Sequence, residues 1–262
     1  MDDSLDLTGQ VAIVTGAGRG LGRSFALEIA RASGAVALVG RHRDALDGVS
    51  AEIGALGGRA ASFVADVRDV DAATETVAAT EARLGPVTIL INNAGMLSLG
   101  AVTTLDPNDF WDSMAVNVQG PLLWTRAVLA PMLARGSGRI INVTSTVGNN
   151  PMANGAAYCC SKAALTMFTA VLGLELVGTR VVTFALAPLA ATDMTRQGVN
   201  SPAINDEQRA FYAALLADPD PLLADSLRLF RTMLSGRLDH VSGSCFVSNR
   251  PLDAQVAPLG AH

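Results

Sequence analysis

Lysine is almost missing from this chain. Its 262 residues include eighteen arginines and a single lysine, Lys162. Arginine can replace lysine at most surface positions. One retained lysine therefore points to a task a guanidinium cannot perform, such as acting as a compact ammonium beside a reactive group. Cysteine is scarce too, with only Cys159, Cys160 and Cys245. Two are adjacent and the count is odd, which argues against a disulfide framework and against metal-ligand spacing. The three histidines, His42, His240 and His262, are scattered and predict no metal site. Charged residues make up only 16%, the net charge is −5, and no run of Lys or Arg occurs. That excludes a general nucleic-acid or anionic-membrane surface but allows a local basic pocket. No apolar run approaches ~18 residues, which argues against a transmembrane helix. Residues Met1 to Thr8 hold three Asp and no basic group, the reverse of a leader peptide, and predict a cytoplasmic protein. The arginine-for-lysine bias is also that of a GC-rich bacterial genome.

Apolar residues are plentiful, at 50% of the chain, and their order is informative. Short β-branched runs at Val11–Thr15, Ala35–Gly40, Ala60–Val64, Thr88–Ile91, Arg139–Thr144 and Arg180–Ala185 alternate with helical patterns. Those helices fall at Leu21–Ala32, Arg43–Leu56, Val70–Leu84, Asn108–Leu133 (broken near Gly120-Pro121) and Ala157–Val177. Continuous apolar strands separated by helices predict an α/β fold: one doubly wound parallel sheet of about seven strands, covered on both faces. Gly243–Ser248 is the expected last strand. Residues Thr192–Asp220 read as a substrate loop with one or two short helices, and Pro221–Leu234 as a further helix. The whole chain, 1–262, reads as one domain: a cofactor half over about 1–135, a catalytic and substrate half over about 136–250, and a loosely held tail over about 250–262.

The first strand runs into Thr15-Gly16-Ala17-Gly18-Arg19-Gly20-Leu21-Gly22 at the start of a helix. Glycine permits the tight turn and lets backbone N–H groups approach a pyrophosphate, while the helix N-terminus favours an anion. The second strand ends Val39-Gly40-Arg41, without the acidic residue that would bind the ribose hydroxyls of NAD. Arg41, with Arg19, can instead hold a 2′-phosphate. Tyr158 and Lys162 are four residues apart on a predicted helix and so share one face. A free tyrosine is a poor base at neutral pH. Lowering its pKa by about three takes roughly 4 kcal/mol, which a close ammonium can supply. Ser145 follows the fifth strand, at the edge where such sheets bind ligands.

The spacing Thr-Gly-x-x-x-Gly-x-Gly, then Asn92-Asn93-Ala94-Gly95, Asn117, Ser145 and Tyr158-x-x-x-Lys162, resembles the short-chain dehydrogenase/reductase family over nearly the whole chain, fading after about Thr195. The resemblance implies NADP(H) in preference to NAD(H), hydride transfer to or from a carbonyl or secondary alcohol, and a homo-oligomer. It implies cofactor contacts from Gly16, Gly18, Arg19, Gly20, Leu21, Gly22 and Arg41. Asp66 and Val67 would border the adenine, Asn93, Ala94 and Gly95 the middle of the cofactor, and Pro188 and Thr192 the nicotinamide. Tyr158 would exchange the proton on oxygen, Lys162 would lower its pKa and bond the nicotinamide ribose, and Ser145 would hold the carbonyl. Asn117 would bind a water that relays protons.

The sequence departs from that pattern at three places. Leu189 follows Pro188 where the family has Gly, Phe184 replaces an Asn, and Asp-Gly-Gly is missing near the C-terminus. By analogy Thr146, Val147, Asn149, Asn150, Met152, Met96 and Leu97 border the substrate, with Met194, Phe211 and Tyr212 as lid candidates. A ketoreductase is the leading expectation. A dehydratase or isomerase on the same site, and an idle cofactor-binding scaffold, are the alternatives.

Overall fold

The fold follows from alternation within the strands. In β1 (Val11–Thr15), Ala12 and Val14 face one way and Ile13 the other, and all three are fully buried. A strand buried on both faces needs cover on both. The remaining strands are β2 (Ala35–Gly40), β3 (Ala60–Val64), β4 (Ile89–Asn92), β5 (Gly138–Val143), β6 (Val181–Ala187) and β7 (Cys245–Val247). All pair in parallel, in the order β3-β2-β1-β4-β5-β6-β7. The order reverses between β1 and β4, so a crevice opens at their carboxyl ends. The computed structural model describes residues 5–148 and 150–255.

One face of the sheet is covered by α1 (Gly20–Arg31), α2 (Arg43–Ala55) and α9 (Pro219–Leu234). There Phe25 stacks on Phe230 with ring centroids 4.3 Å apart. The other face is covered by α3 (Val70–Leu84), α5 (Gly120–Arg135) and α6 (Ala156–Glu175), with Trp124 fully buried. Three further helices, α4 (Pro107–Met114), α7 (Asp193–Val199) and α8 (Asp206–Ala217), lie near the crevice. The helix predicted over Asn108–Leu133 does not break at Gly120-Pro121. Ala115–Gln119 forms a π-helical turn there, and Pro121 follows it in the first turn of α5. By length and composition α6 could cross a membrane. Its buried Lys162 and its packing against β6 and α4 mark it as a core helix.

The departures from the family pattern have local explanations. Phe184 is fully buried, packs against Phe246 at 6.4 Å and lies under the Arg139 guanidinium. Gly243 has φ +90, and a Cβ on Gly173 of α6 would come within 2.4 Å of its Cα. Glycine thus lets the chain before β7 press against α6. The tail is tied down as far as it is described. The Gln255 side chain accepts a hydrogen bond from the Val247 N–H at 2.6 Å and donates to the Val247 carbonyl at 3.0 Å. The rest of the expected loose tail, 256–262, lies outside the described residues.

Candidate active site

At the β1–α1 turn, Gly16 has φ +66, and a Cβ there would lie 2.9 Å from Ala94 Cα. Only glycine permits both the conformation and this approach of the turn to the end of β4. Asn93 locks the contact by donating to the carbonyls of Thr15 at 2.9 Å and Gly16 at 3.3 Å. Arg19 is the N-cap of α1, yet no side chain caps that helix and its first turn holds no acid. An uncapped helix N-terminus beside a cavity suits a phosphate group.

That cavity is about 660 Å³ and runs along the carboxyl ends of the strands from the glycine turn to α8. Every expected cofactor residue borders it, from Gly16 to Thr192, as do Ser145, Tyr158 and Lys162. The donor set and glycine cradle fit a nicotinamide dinucleotide. Arg41 is exposed at the end of β2, beside His42, which the sequence reading did not single out. Arg19 does not join Arg41. Its guanidinium pairs with Asp193 at the start of α7, 3.2 Å away. Asp66 is already engaged by Arg68, which bonds it through Nη2 at 2.8 Å and Nε at 3.0 Å. These hydrogen bonds hold the Asp66 carboxyl below the usual carboxylate range. Arg68 was not foreseen, because a basic residue two positions after an acid is common on any surface.

At the other end, Tyr158 and Lys162 extend from the start of α6. Lys162 is buried and donates from Nζ to the Val143 carbonyl at 2.9 Å. Nζ lies 5.8 Å from the Tyr158 ring centroid. Burial pulls Lys162 down to about 8 and pushes Tyr158 up to about 12, while the hydrogen bond with Ser145 works against the rise in Tyr158. Desolvation of the phenolate is the main cause of the rise in Tyr158, and the Lys162 ammonium is turned toward Val143. The Tyr158 hydroxyl donates instead to Met194 Sδ at 3.7 Å.

Asn117 does not border the cavity. It sits buried in the π-helical turn, accepting from the Met96 N–H at 2.9 Å and donating to the Met96 carbonyl at 3.0 Å and to Ser161 Oγ at 2.9 Å. Its amide therefore holds the chain after β4 against α6, and Gly95 fits between Asn117 and Lys162. Leu189 lies outside the left-handed region that would demand glycine. Its N–H donates to Ser248 Oγ at 3.0 Å and its carbonyl accepts from Ser226 Oγ at 2.8 Å. Nothing in the spacing of Ser226 and Ser248 indicated this. Thr192 caps α7 through reciprocal bonds with Thr195, and its methyl lies near Gly20. Thr146, Val147, Met152, Met96, Leu97, Met194, Phe211 and Tyr212 border the cavity as expected, joined by Leu215. Asn150 instead turns back onto the Thr146 carbonyl at 2.9 Å. Asn149 lies outside the described residues.

The profile of the short chain dehydrogenase family matches residues 10–202. This chain belongs to that family. A short chain dehydrogenase of Pseudocercospora fijiensis is 43% identical over 185 residues, 70% of this chain and 60% of that protein. The 2,3-dihydro-2,3-dihydroxybenzoate dehydrogenase of Bacillus subtilis is 38% identical over 170 residues, 65% of each chain. The match thus spans less than two thirds of either relative. Among solved structures, NAD+-bound xylitol dehydrogenase superposes with a TM-score of 0.83 at 26% identity, over 92% of this chain and 98% of that one. A metagenomic short-chain oxidoreductase in complex with NADP gives 0.70 at 33% identity, over 86% and 92%. This short chain dehydrogenase therefore resembles structures holding either dinucleotide.

Proposed function

We propose that this short chain dehydrogenase is an NADP(H)-dependent ketoreductase of the cytoplasm, acting on a carbonyl or the matching secondary alcohol. The observation that carries the reading is one cavity with two ends. A glycine turn, an uncapped helix and Arg41 form the first, and Ser145, Tyr158 and Lys162 the second. Bound NADP(H) supplies the hydride for the carbonyl carbon or accepts it from the alcohol. Arg41 would hold the 2′-phosphate, where a guanidinium forms paired bonds and NAD would need an acid. Asp66 and Val67 would border the adenine, while Asn93, Ala94, Gly95, Pro188 and Thr192 would hold the remainder. In reduction the C=O π bond is replaced by C–H and O–H bonds, and the new oxygen-bound proton comes from Tyr158 Oη. Ser145 Oγ donates to the same oxygen and polarises it. Burial keeps Tyr158 protonated, the form needed for reduction. Lys162 would hold the nicotinamide ribose with the N–H bonds that Val143 leaves free, and Asn117 positions the loop beneath it. The three free cysteines fit a reducing compartment.

The test is a titration of the purified protein with NADPH and NADH, followed by nicotinamide fluorescence. NADPH should bind more tightly, and Arg41→Asp should weaken NADPH at least about tenfold more than NADH. Equal losses would remove the 2′-phosphate assignment.

A further inference from the structure

The two ends of the cavity differ in chemistry. Arg19, Arg41, His42, Asp66 and Arg68 line the part fed by β1, β2 and β3. Around the Tyr158 hydroxyl the wall is dominated instead by Leu97, Met152, Met194, Phe211, Tyr212 and Leu215, beside the hydroxyls of Ser145 and Thr146. The cation nearest that wall, Lys162, is buried, bonds the Val143 carbonyl and is assigned to the nicotinamide ribose. None of the six wall residues carries a cation, so a carboxylate or phosphate held against them would be buried unpaired, which is strongly unfavourable.

The polar tips in this wall meet sulfur. Tyr158 Oη donates to Met194 Sδ, and Tyr212 Oη donates to Met152 Sδ, each at 3.7 Å. A thioether is a weak acceptor on a flexible apolar side chain. A ketone oxygen therefore displaces Met194 from Tyr158 with little loss and gains the better hydrogen bond. A substrate rich in hydroxyls gains less, because Ser145 and Thr146 offer few partners for many donors, and thioethers and hydrocarbon are poor ones. The lid is fastened by side chains that point away from the substrate space. Gln197 donates to the Leu97 carbonyl at 3.2 Å, Asn154 to Ala203 at 2.6 Å and Gln208 to Ala153 at 2.8 Å. Tyr212 is seated on Gly198, where a Cβ would come within 2.8 Å of its ring. The aromatic wall therefore has a defined position.

We infer that the substrate is a neutral, largely apolar ketone whose hydrocarbon part lies under Met152, Phe211, Tyr212 and Leu215, and that Met194 is the specificity residue its oxygen displaces. This rests on the hydride-transfer reading and names the substrate class of the same site.

The experiment measures NADPH oxidation with benzylacetone, with its ring-carboxylate derivative and with fructose. It uses the full chain and its Met194→Lys and Met194→Leu variants, and NADPH binding is measured alongside. Benzylacetone should exceed the other two in kcat/KM by at least about tenfold. Met194→Leu should keep that order. Met194→Lys should lower benzylacetone at least about tenfold, mostly through KM, and raise the carboxylate relative to it. Equal or better turnover of the carboxylate or of fructose overturns the substrate class and leaves the oxidoreductase reading intact. NADPH binding without turnover of benzylacetone also overturns this inference alone. Failure to bind NADPH or NADH, with no turnover of any compound, overturns both.

Discussion

Burial has opposite consequences for the two ionisable side chains at the start of α6. It keeps the Tyr158 phenol neutral and makes the Lys162 ammonium easier to deprotonate. Tyr158→Phe removes the only hydroxyl on that ring while preserving its packing. Turnover should fall below a few per cent of wild type with NADPH affinity retained, and persistence of turnover would end the acid–base assignment. Lys162 also predicts a pH-dependent stability. The unfolded lysine keeps its proton to 10.5 and the folded one to about 8, so between those values the unfolded chain binds more protons. Stability then rises with pH across that window, while below it both states are protonated and the full penalty remains. Tyr158 opposes the trend only above its unfolded value of 10. Above 9 the Cys159 and Cys245 thiols, whose values burial raises, oppose the trend as well. Urea midpoints measured in steps from pH 8 to 9 should therefore rise for wild type and not for Lys162→Met.

The elements that carry these residues are held in register by a buried polar chain. Asn92 at the end of β4 donates to Asn142 Oδ1 at 2.8 Å, and Asn142 donates from β5 to Thr169 Oγ1 on α6 at 2.9 Å. Asn92 also reaches Thr125 on α5 at 3.3 Å. These bonds tie two central strands to two of the three helices on one face. They lie directly behind Asn93, which fastens the cofactor turn. Asn142→Leu would remove one bond from each neighbour, while Asn92 keeps Thr125 and Thr169 keeps the Leu165 carbonyl. Loss of about 1–3 kcal/mol in urea denaturation, with weaker cofactor binding, is expected. A neutral substitution would show that the strands hold their register through apolar packing alone. The π-helical turn acts at the same scale. Its wider winding carries Asn117 inward to Met96 and Ser161, a placement common where helices meet functional sites.

Across the whole molecule the apolar surface is unevenly distributed. Trp111, Leu122 and Leu133 are exposed on α4 and α5, and Met167, Val171 and Leu174 on the neighbouring α6. Exposed apolar side chains of this kind favour association, and we propose that those of α6 carry the homo-oligomer implied by the family resemblance. Val171→Arg places a charge among them. Sedimentation velocity should show the variant shifted toward monomer, whereas an unchanged distribution would move the contact elsewhere. Glu28 serves cohesion inside the subunit. It is nearly buried and accepts from Arg31 and from Arg231 of α9, each at 2.7 Å, joining the first and last helices of one face.

Local periodicity determined most of the architecture. The runs Val11–Thr15, Ala35–Gly40 and Ala60–Val64 were legible to the residue, because an apolar strand between helices has few other solutions. The glycine turn, Asn92-Asn93-Ala94-Gly95 and Tyr158-x-x-x-Lys162 were legible because each sits at a strand end or on a helix face, where neighbours in sequence remain neighbours in space. What depended on distant contacts was not legible. The pairing of Arg19 with Asp193 spans 174 positions, and the anchoring of Leu189 by Ser226 and Ser248 spans 37 and 59. The sign of the Tyr158 shift also required three dimensions, since it depends on how completely the phenol is desolvated and on where the Lys162 ammonium points. Sequence by itself determined which chemical groups this protein has and on which strand ends they stand, because those follow from short-range backbone geometry. Only the tertiary structure decided which of those groups are already paired, which are buried, and which apolar wall faces the reacting hydroxyl, because each depends on segments brought together by folding.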